Sequence, residues 1–179
     1  ERAVQFLNAA WQQMPTDVAL RISRWQALSK IDTPQSLRKR IIAQLPDIED
    51  PKELGLVLGL LAAEADGPAY VGVARFHAAT REVQGWAVNL KNLKSIVSLR
   101  ISSNEQITDC IAELADPLLT ASGLPSTHGA FRIRISNPAL TLHVRFDDGT
   151  IVAGSPLSNL PLFAPPAPLA KNASRLEPV

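Results

Sequence analysis

Two stretches, AFRIRIS at residues 130–136 and ALTLHVRF at residues 139–146, decide the fold of the second half of this chain. Each alternates apolar and polar residues, the pattern of a β-strand with one buried and one exposed face. Asp148-Gly149 follows, a dipeptide typical of a tight hairpin turn. Further short segments of strand character precede these two, at 69–76, 81–90, 94–101 and 105–112. Together they predict an antiparallel β-sandwich over residues 67–160.

The first third of the chain has the opposite character. No glycine occurs before Gly55, and apolar residues recur at helical spacing, which predicts four helices within residues 1–66. Thr33 and Asp50 each stand directly before a proline, the order of a helix N-cap followed by a proline in the first turn. Glu53 is placed for a capping box with Asp50. The predicted fold class is therefore α+β, an N-terminal α-helical subdomain followed by an antiparallel β-sandwich.

The helical subdomain has a repeat-like feature. Ala3, Leu7, Ala10 and Pro15 match the spacing of the second helix of a tetratricopeptide repeat, with leucine in place of phenylalanine. The next period along the chain no longer keeps the pattern, so the segment holds at most the last one or two repeats.

The last segment, residues 161–179, carries 5 of the 14 prolines and reads as a Pro/Ala-rich linker. A frayed terminus is the alternative interpretation. Residue 1 is Glu rather than Met, which leads us to expect that the chain is a piece of a longer protein. The expected organisation is a helical subdomain at 1–66, a sandwich at 67–160 and this linker.

Composition excludes several classes of protein. The formal net charge is only +1, whereas a dedicated nucleic-acid binder usually has a large basic excess. The single cysteine allows neither an internal disulfide nor a cysteine-based zinc cluster. The longest apolar run, residues 54–63, is too short to span a bilayer. We therefore expect no nucleic-acid partner and no transmembrane segment.

No catalytic constellation is visible in the sequence. The three histidines, His77, His128 and His143, lie apart, and no G-x-S-x-G motif occurs. Ser155 precedes Pro156, which lacks the backbone N–H that an oxyanion hole would use. We expect that this segment is not itself an enzyme and that it binds no cofactor or metal.

Two weaker candidates remain open at this point. Cys110 lies in an apolar strand and is expected to act as a small hydrophobe, with a reactive thiol as the alternative. Asp47, Glu49 and Asp50 are close in sequence, but Asp50 is the predicted helix cap, so a calcium site is the weaker of the two interpretations.

Basic side chains supply the best candidate binding surface. The two alternating strands put Arg132, Arg134, His143 and Arg145 at polar positions, and Arg100 holds the same kind of position in its own strand. On one shared sheet face they would bind an anionic glycan or a protein partner, because guanidinium groups bind carboxylates and phosphates in a bidentate manner. The alternative is an ordinary solvated sheet face.

The order of motifs in the sandwich region resembles a known module. REVQGWAV at residues 81–88 resembles the opening of a GWA-type β-sandwich module found beside bacterial glycosyltransferases. Its further counterparts follow in order as Ala112-Glu113-Leu114, Gly129-Ala130-Phe131 and Gly154-Ser155-Pro156. The resemblance covers about residues 69–160. It departs at Asp116, which lacks the neighbouring arginine of that family.

The resemblance implies a function as well as a fold. It implies a non-catalytic accessory region of a glycosyltransferase of lipopolysaccharide, capsule or exopolysaccharide synthesis, which positions the catalytic domain or binds glycan. That catalytic domain would follow in the same chain. The setting would be the cytoplasm, at the inner face of the membrane through the parent protein. The alternative function is a freestanding protein–protein adaptor that uses the helical subdomain.

Overall fold

The computed structural model describes residues 2–103, 107–125, 128–135 and 141–158. The predicted linker at 161–179 lies outside these residues. The helices are α1 (Arg2–Gln13), α2 (Val18–Ile31), α3 (Pro34–Gln44), α4 (Pro51–Ala62) and α5 (Pro117–Ala121), with a 3-10 turn at Leu45–Asp47. The strands are β1 (Tyr70–His77), β2 (Glu82–Asn89), β3 (Val97–Ser102), β4 (Ile107–Ala112), β5 (Leu114–Ala115), β6 (His128–Arg134), β7 (Thr141–Phe146) and β8 (Leu157–Ser158). The predicted α+β class is confirmed.

Local side-chain caps start the helices where the sequence predicts them. The hydroxyl of Thr33 accepts a hydrogen bond from the backbone N–H of Ser36, 3.3 Å away, at the start of α3. The Asp50 carboxylate accepts from the backbone N–H groups of Lys52 and Glu53 at the start of α4. These bonds satisfy donors that have no partner within the helix. In the described residues, no helix is both long and apolar enough to cross a membrane.

The strands form two antiparallel sheets of four strands each. Sheet A has the order β1-β2-β6-β5, and sheet B has the order β4-β3-β7-β8. The two sheets pack face to face over a buried cluster that includes Val83, Leu99, Phe131 and Val144. This arrangement is the predicted β-sandwich.

Sheet A is the middle layer of a three-layer structure. Its second face packs on the helices, in a cluster that joins Leu54 and Leu58 of α4 to Val73 and Trp86 of the sheet. Along a strand, successive side chains point to opposite faces, so β2 contributes to both clusters. Because sheet A is covered by helices on one side and by sheet B on the other, its strands contain long apolar runs.

The chain after β7 forms hydrogen bonds to both sheets. Gly149 adopts a φ of +83° in the turn predicted at Asp148-Gly149. Residues 151–158, which we call the strap, then return beside β7. The N–H of Val152 donates to the Val144 carbonyl at 3.0 Å in sheet B, and the N–H of Ala74 in sheet A donates to Ala153 at 2.9 Å. The strap is therefore bonded to both sheets.

Candidate functional site: a cleft on sheet A

The five basic residues predicted to share one face do not do so. Arg132 and Arg134 lie on β6 in sheet A, whereas Arg100, His143 and Arg145 lie on β3 and β7 in sheet B. Since the sheets pack through their inner faces, the polar positions of the two groups point to opposite sides of the sandwich. That prediction of a common face was wrong because β6 and β7, although consecutive in the chain, belong to different sheets.

Arg132 and Arg134 instead join polar residues of β1 and β2. Strand register aligns the helix-facing side of sheet A in three cross-strand rows, which are Val73–Trp86–Ala130, Arg75–Gln84–Arg132 and His77–Glu82–Arg134. Directly opposite side chains on a sheet face are close enough to act on one ligand. We call the last six of these residues the shelf.

The shelf runs into a cleft of about 460 Å³ between the helical layer and sheet A. One wall is the segment around Ile48, and the other is formed by Leu114, Asp116 and Leu118. The floor includes Trp86, Gln84 and Arg132. This volume lies within the range of small-molecule sites, which occur preferentially where structural units meet.

The shelf holds its polar groups in a partly connected network. The amide of Gln84 donates to Glu82 at 2.6 Å, and Nε of Arg132 lies 4.0 Å from the same carboxylate oxygen. The Arg132 side chain remains 62% exposed. Arg75 donates to the Pro46 carbonyl on the helical side, which holds it at the mouth of the cleft. The row Arg75–Gln84–Arg132 therefore presents two guanidinium groups, one on each side of the neutral Gln84 amide.

The two acidic side chains that line the cleft lie on different walls. Glu49 is exposed beside Ile48, and Asp116 on the other wall accepts a hydrogen bond from the Leu119 N–H at 2.9 Å as the cap of α5. Asp116 thus has a structural bond of its own. The cleft accordingly has basic residues on its floor and at its mouth, and one carboxylate on each wall.

The outer face of sheet B is organised differently. Arg100 donates to Asp109, its cross-strand neighbour, at 2.8 Å. This hydrogen bond is the main cause that lowers the pKa of Asp109 below its ordinary value. Arg145, opposite Arg100 on the other side, donates to the Gly149 carbonyl at 3.3 Å. His143 lies opposite Ser102 on the same face. Both arginines are therefore bonded within the chain.

Other candidate residues have structural surroundings. Cys110 is half-buried, and burial together with Asp109 raises its thiol pKa to about 11, which favours the inert interpretation. The Ser155 hydroxyl accepts a hydrogen bond from the Val144 N–H at 2.9 Å, as expected of a packing role. The described residues contain no group of three or more His, Cys, Asp or Glu side chains that could hold a metal ion.

Glu53 does not form the predicted capping box. Its side chain is only 1% exposed, and it accepts hydrogen bonds from Trp25 Nε1 at 2.8 Å and Arg21 Nε at 2.9 Å. The sequence placed Glu53 three residues after a cap, but the neighbouring helix α2 supplies stronger partners. The carboxylate thereby joins α2 to α4, the helix that packs on sheet A.

The residues of the resemblance motif pack between layers. Trp86 is 6% exposed, so most of the indole is core and only its edge reaches the cleft. Gly85 lies directly across from Phe131, and an added Cβ would come within 3.0 Å of that ring and would overlap the Val73 carbonyl oxygen. Glycine here lets two strands and an aromatic ring approach closely.

Sequence reasoning missed Arg75 and Gln84 as site residues and counted His77 only in the search for a catalytic base. The signal for Arg75 and His77 was present in β1, where the positions of one face change from Val71 and Val73 to these two polar residues. Comparison of this chain with protein-family models, with curated proteins and with solved structures finds no match.

Proposed function

We propose that this chain is a non-catalytic accessory module of a bacterial glycosyltransferase of lipopolysaccharide, capsule or exopolysaccharide synthesis, and that it binds anionic glycan. The proposed binding site is the cleft on sheet A with its shelf. The observation that carries the binding proposal is the row Arg75–Gln84–Arg132, aligned next to Trp86 at a cleft of ligand size.

The chemistry of the row suits a sugar that bears a carboxylate or a phosphate. Arg75 and Arg132 offer planar sets of N–H donors that match such anions, and charge-assisted hydrogen bonds are stronger than neutral ones. Gln84 between them offers both a donor and an acceptor, as sugar hydroxyl groups require. The accessible apolar side chains Leu114 and Leu118 on one wall suit the C–H face of a sugar ring.

The assignment to a glycosyltransferase rests on the motif order described above. In this structure the motif residues Gly85, Trp86 and Phe131 serve packing, as expected of a module that positions or binds rather than catalyses. In the proposal, the chemistry belongs to a catalytic domain in the same chain, in the cytoplasm at the inner face of the membrane.

The test is a calorimetric titration of the 179-residue chain with oligogalacturonate as the anionic probe and a neutral dextran oligosaccharide as the control. The double variant Arg75→Ala/Arg132→Ala should weaken oligogalacturonate binding by about tenfold or more, because each hydrogen bond to a charged group contributes about 1.5–3 kcal/mol. The matched variant Arg100→Ala/Arg145→Ala removes equal charge from the opposite face and should leave affinity within about twofold, since surface charge alone contributes little.

Three outcomes would overturn the proposal. Equal losses in the two double variants would show binding by overall charge alone. Binding of dextran as tight as that of oligogalacturonate would remove the role of the arginines. Turnover of a sugar nucleotide by the isolated chain would contradict its non-catalytic character.

The alternative function, a protein–protein adaptor, has one observation in its favour. Phe6 in α1 and Met14 just after it are 73% and 51% exposed, so this end of the helical layer presents apolar side chains that a protein partner would cover. An adaptor that uses these helices predicts that Phe6→Ser abolishes binding of a purified protein partner while Arg75→Ala/Arg132→Ala does not. The glycan proposal predicts that Phe6→Ser leaves the titration unchanged.

A further inference from the structure

The edge strand of sheet B has an unusual outward face. β4 lies at the end of the order β4-β3-β7-β8, and within the described residues it pairs only with β3. Its outward positions are Ile107, Asp109 and Ile111, and the two isoleucines are 67% and 46% exposed. An antiparallel sheet that faces water normally carries polar residues at such positions. These two positions therefore indicate a surface that is covered in another state of the protein.

Apart from the charge of Asp109, the edge has little of the usual protection against pairing. Exposed edge strands present unpaired N–H and C=O groups, and proteins commonly block them with lysine, proline or a bulge. β4 reads ITDCIA, which contains neither lysine nor proline, and its register with β3 is continuous over all six residues. A further strand can therefore join this edge by main-chain hydrogen bonds.

The outward residues of β4 read isoleucine, aspartate, isoleucine whichever end of the strand is taken first. We propose that a second copy of this chain pairs with it, β4 against β4, antiparallel and with Asp109 on the two-fold axis. Directly opposed residues of an antiparallel pair lie on the same face. Ile107 of each copy then lies opposite Ile111 of the other, and Thr108 lies opposite Cys110 on the inner face.

Other registers are less favourable. A shift by two residues would place Asp109 opposite an isoleucine, and a shift by one would bring inner and outer faces together. In the symmetric register the two apolar pairs cover the exposed isoleucines of both copies. The product is one continuous sheet of eight strands, and the two-fold axis limits the assembly to a dimer.

The charges around the axis are balanced by arginines already in place. The two Asp109 carboxylates meet, but each is 2.8 Å from Arg100 of its own copy, and Arg145 lies directly beyond Arg100. The central row thus holds two arginines for each aspartate. The like-charged pair of aspartates is thus compensated from both sides, and the choice of a second copy rests on the two Ile107–Ile111 pairs, which the symmetric register forms.

The experiment measures the mass of the intact chain by sedimentation velocity over a range of concentrations. We expect a monomer–dimer equilibrium, because a pairing of five residues from each strand makes a small interface. Ile107→Lys and Ile111→Glu should each raise the dissociation constant by about tenfold or more, since an apolar pair becomes a charged residue against isoleucine twice in the dimer. The double variant Ile107→Lys/Ile111→Glu should restore the dimer, because each lysine then faces a glutamate.

The restoration is specific to the proposed register, and a folding defect in a single variant cannot imitate it. Ile151→Lys is the matched control, since Ile151 is 55% exposed but pairs beside Arg145, away from β4. A wild-type chain that stays monomeric at every concentration overturns the proposal. So does a double variant that remains as dissociated as the single variants, or an Ile151→Lys variant that dissociates as they do.

Discussion

Sheet A and sheet B both carry arginines on their outward faces, but the two faces differ in what surrounds those arginines. On sheet B, Arg100 has Asp109 beside it at 2.8 Å, and the two side chains are 58% and 66% exposed. On sheet A, Gln84 separates Arg75 from Arg132, and the helices turn part of the face into a cleft. Cross-strand neighbours and the adjoining layer, more than the arginines themselves, therefore distinguish the proposed anion site from the outer face of sheet B.

The largest expected loss of stability comes from loosening the helical layer that shapes the cleft. Glu53→Ala would leave Arg21 and the indole N–H of Trp25 without their buried acceptor. Loss of one partner of a buried ion pair costs about 3–5 kcal/mol. We therefore expect a fall of that size in the free energy of unfolding, measured by urea denaturation.

The control for Glu53→Ala is Arg40→Ala, which removes the more exposed ion pair between Arg40 and Asp32. Its cost should be smaller than that of Glu53→Ala, because the Arg40 side chain is 47% exposed. If the two variants lose equal stability, the buried carboxylate does not hold the helical layer as described.

A smaller loss of stability is expected from a change at Gly85 in β2. Gly85→Ala would push a methyl group against the Val73 carbonyl and the Phe131 ring. Overpacking of this kind costs about 1–3 kcal/mol. The matched change Gly59→Ala in α4 meets no atom within 4 Å and should stabilise the chain by about 0.5–1 kcal/mol. Thermal unfolding of the two variants should therefore shift in opposite directions, and shifts of the same sign would contradict this packing.

Asp109→Ala makes the outer face of sheet B resemble the shelf of sheet A. The substitution removes the carboxylate that Arg100 contacts, so Arg100 and Arg145 become adjacent donors without an acid between them and solvent. We expect a second, weak binding event for oligogalacturonate in the calorimetric titration, and Arg100→Ala in the same background should remove it. An unchanged titration would show that cleft shape matters more than charge neighbours.

The smallest expected effect is the pH dependence of the Arg100–Asp109 pair. The pKa of Asp109 is lowered in the folded chain, chiefly by the hydrogen bond from Arg100. A lowered folded-state pKa contributes stability above the unfolded-state pKa, and this contribution is lost as the pH falls through the folded-state pKa. Asp109→Asn should therefore lose slightly less stability than the wild type between pH 7 and strongly acidic pH, in urea midpoints measured at both. An identical loss in both proteins would argue against the pair.

Local features of this fold were predictable from the sequence, whereas the partners of each strand were not. Thr33 and Asp50 act on backbone groups within three residues, so their capping roles follow from sequence alone. Alternation in β6 and β7 predicts which residues of each strand are buried, but it carries no information on which sheet the strand joins. That is why Arg132 and His143 were assigned to one face and lie on two.

The candidate site was predictable only in part for the same reason. Arg132 and Arg134 were identified from their alternation, while Arg75 was hidden because β1 is buried on both faces along its first half. The cleft around these arginines also depends on the helical layer, which comes from elsewhere in the chain. Glu53 shows the same limit, since its true partners lie 28 and 32 residues away.

The strap has a mechanical consequence. Tension applied to the chain beyond Ser158 would first load the pairing of β8 with β7, and would then reach Val152 and Ala153, which are bonded to β7 and to β1 respectively. Such a load would be divided between the two sheets, so neither could be peeled from the sandwich alone. The three bonds from Ala74 to Ala153, from Ala153 to Gly72 and from Val152 to Val144 would share it. The strap therefore transmits a pull on the chain to both sheets together.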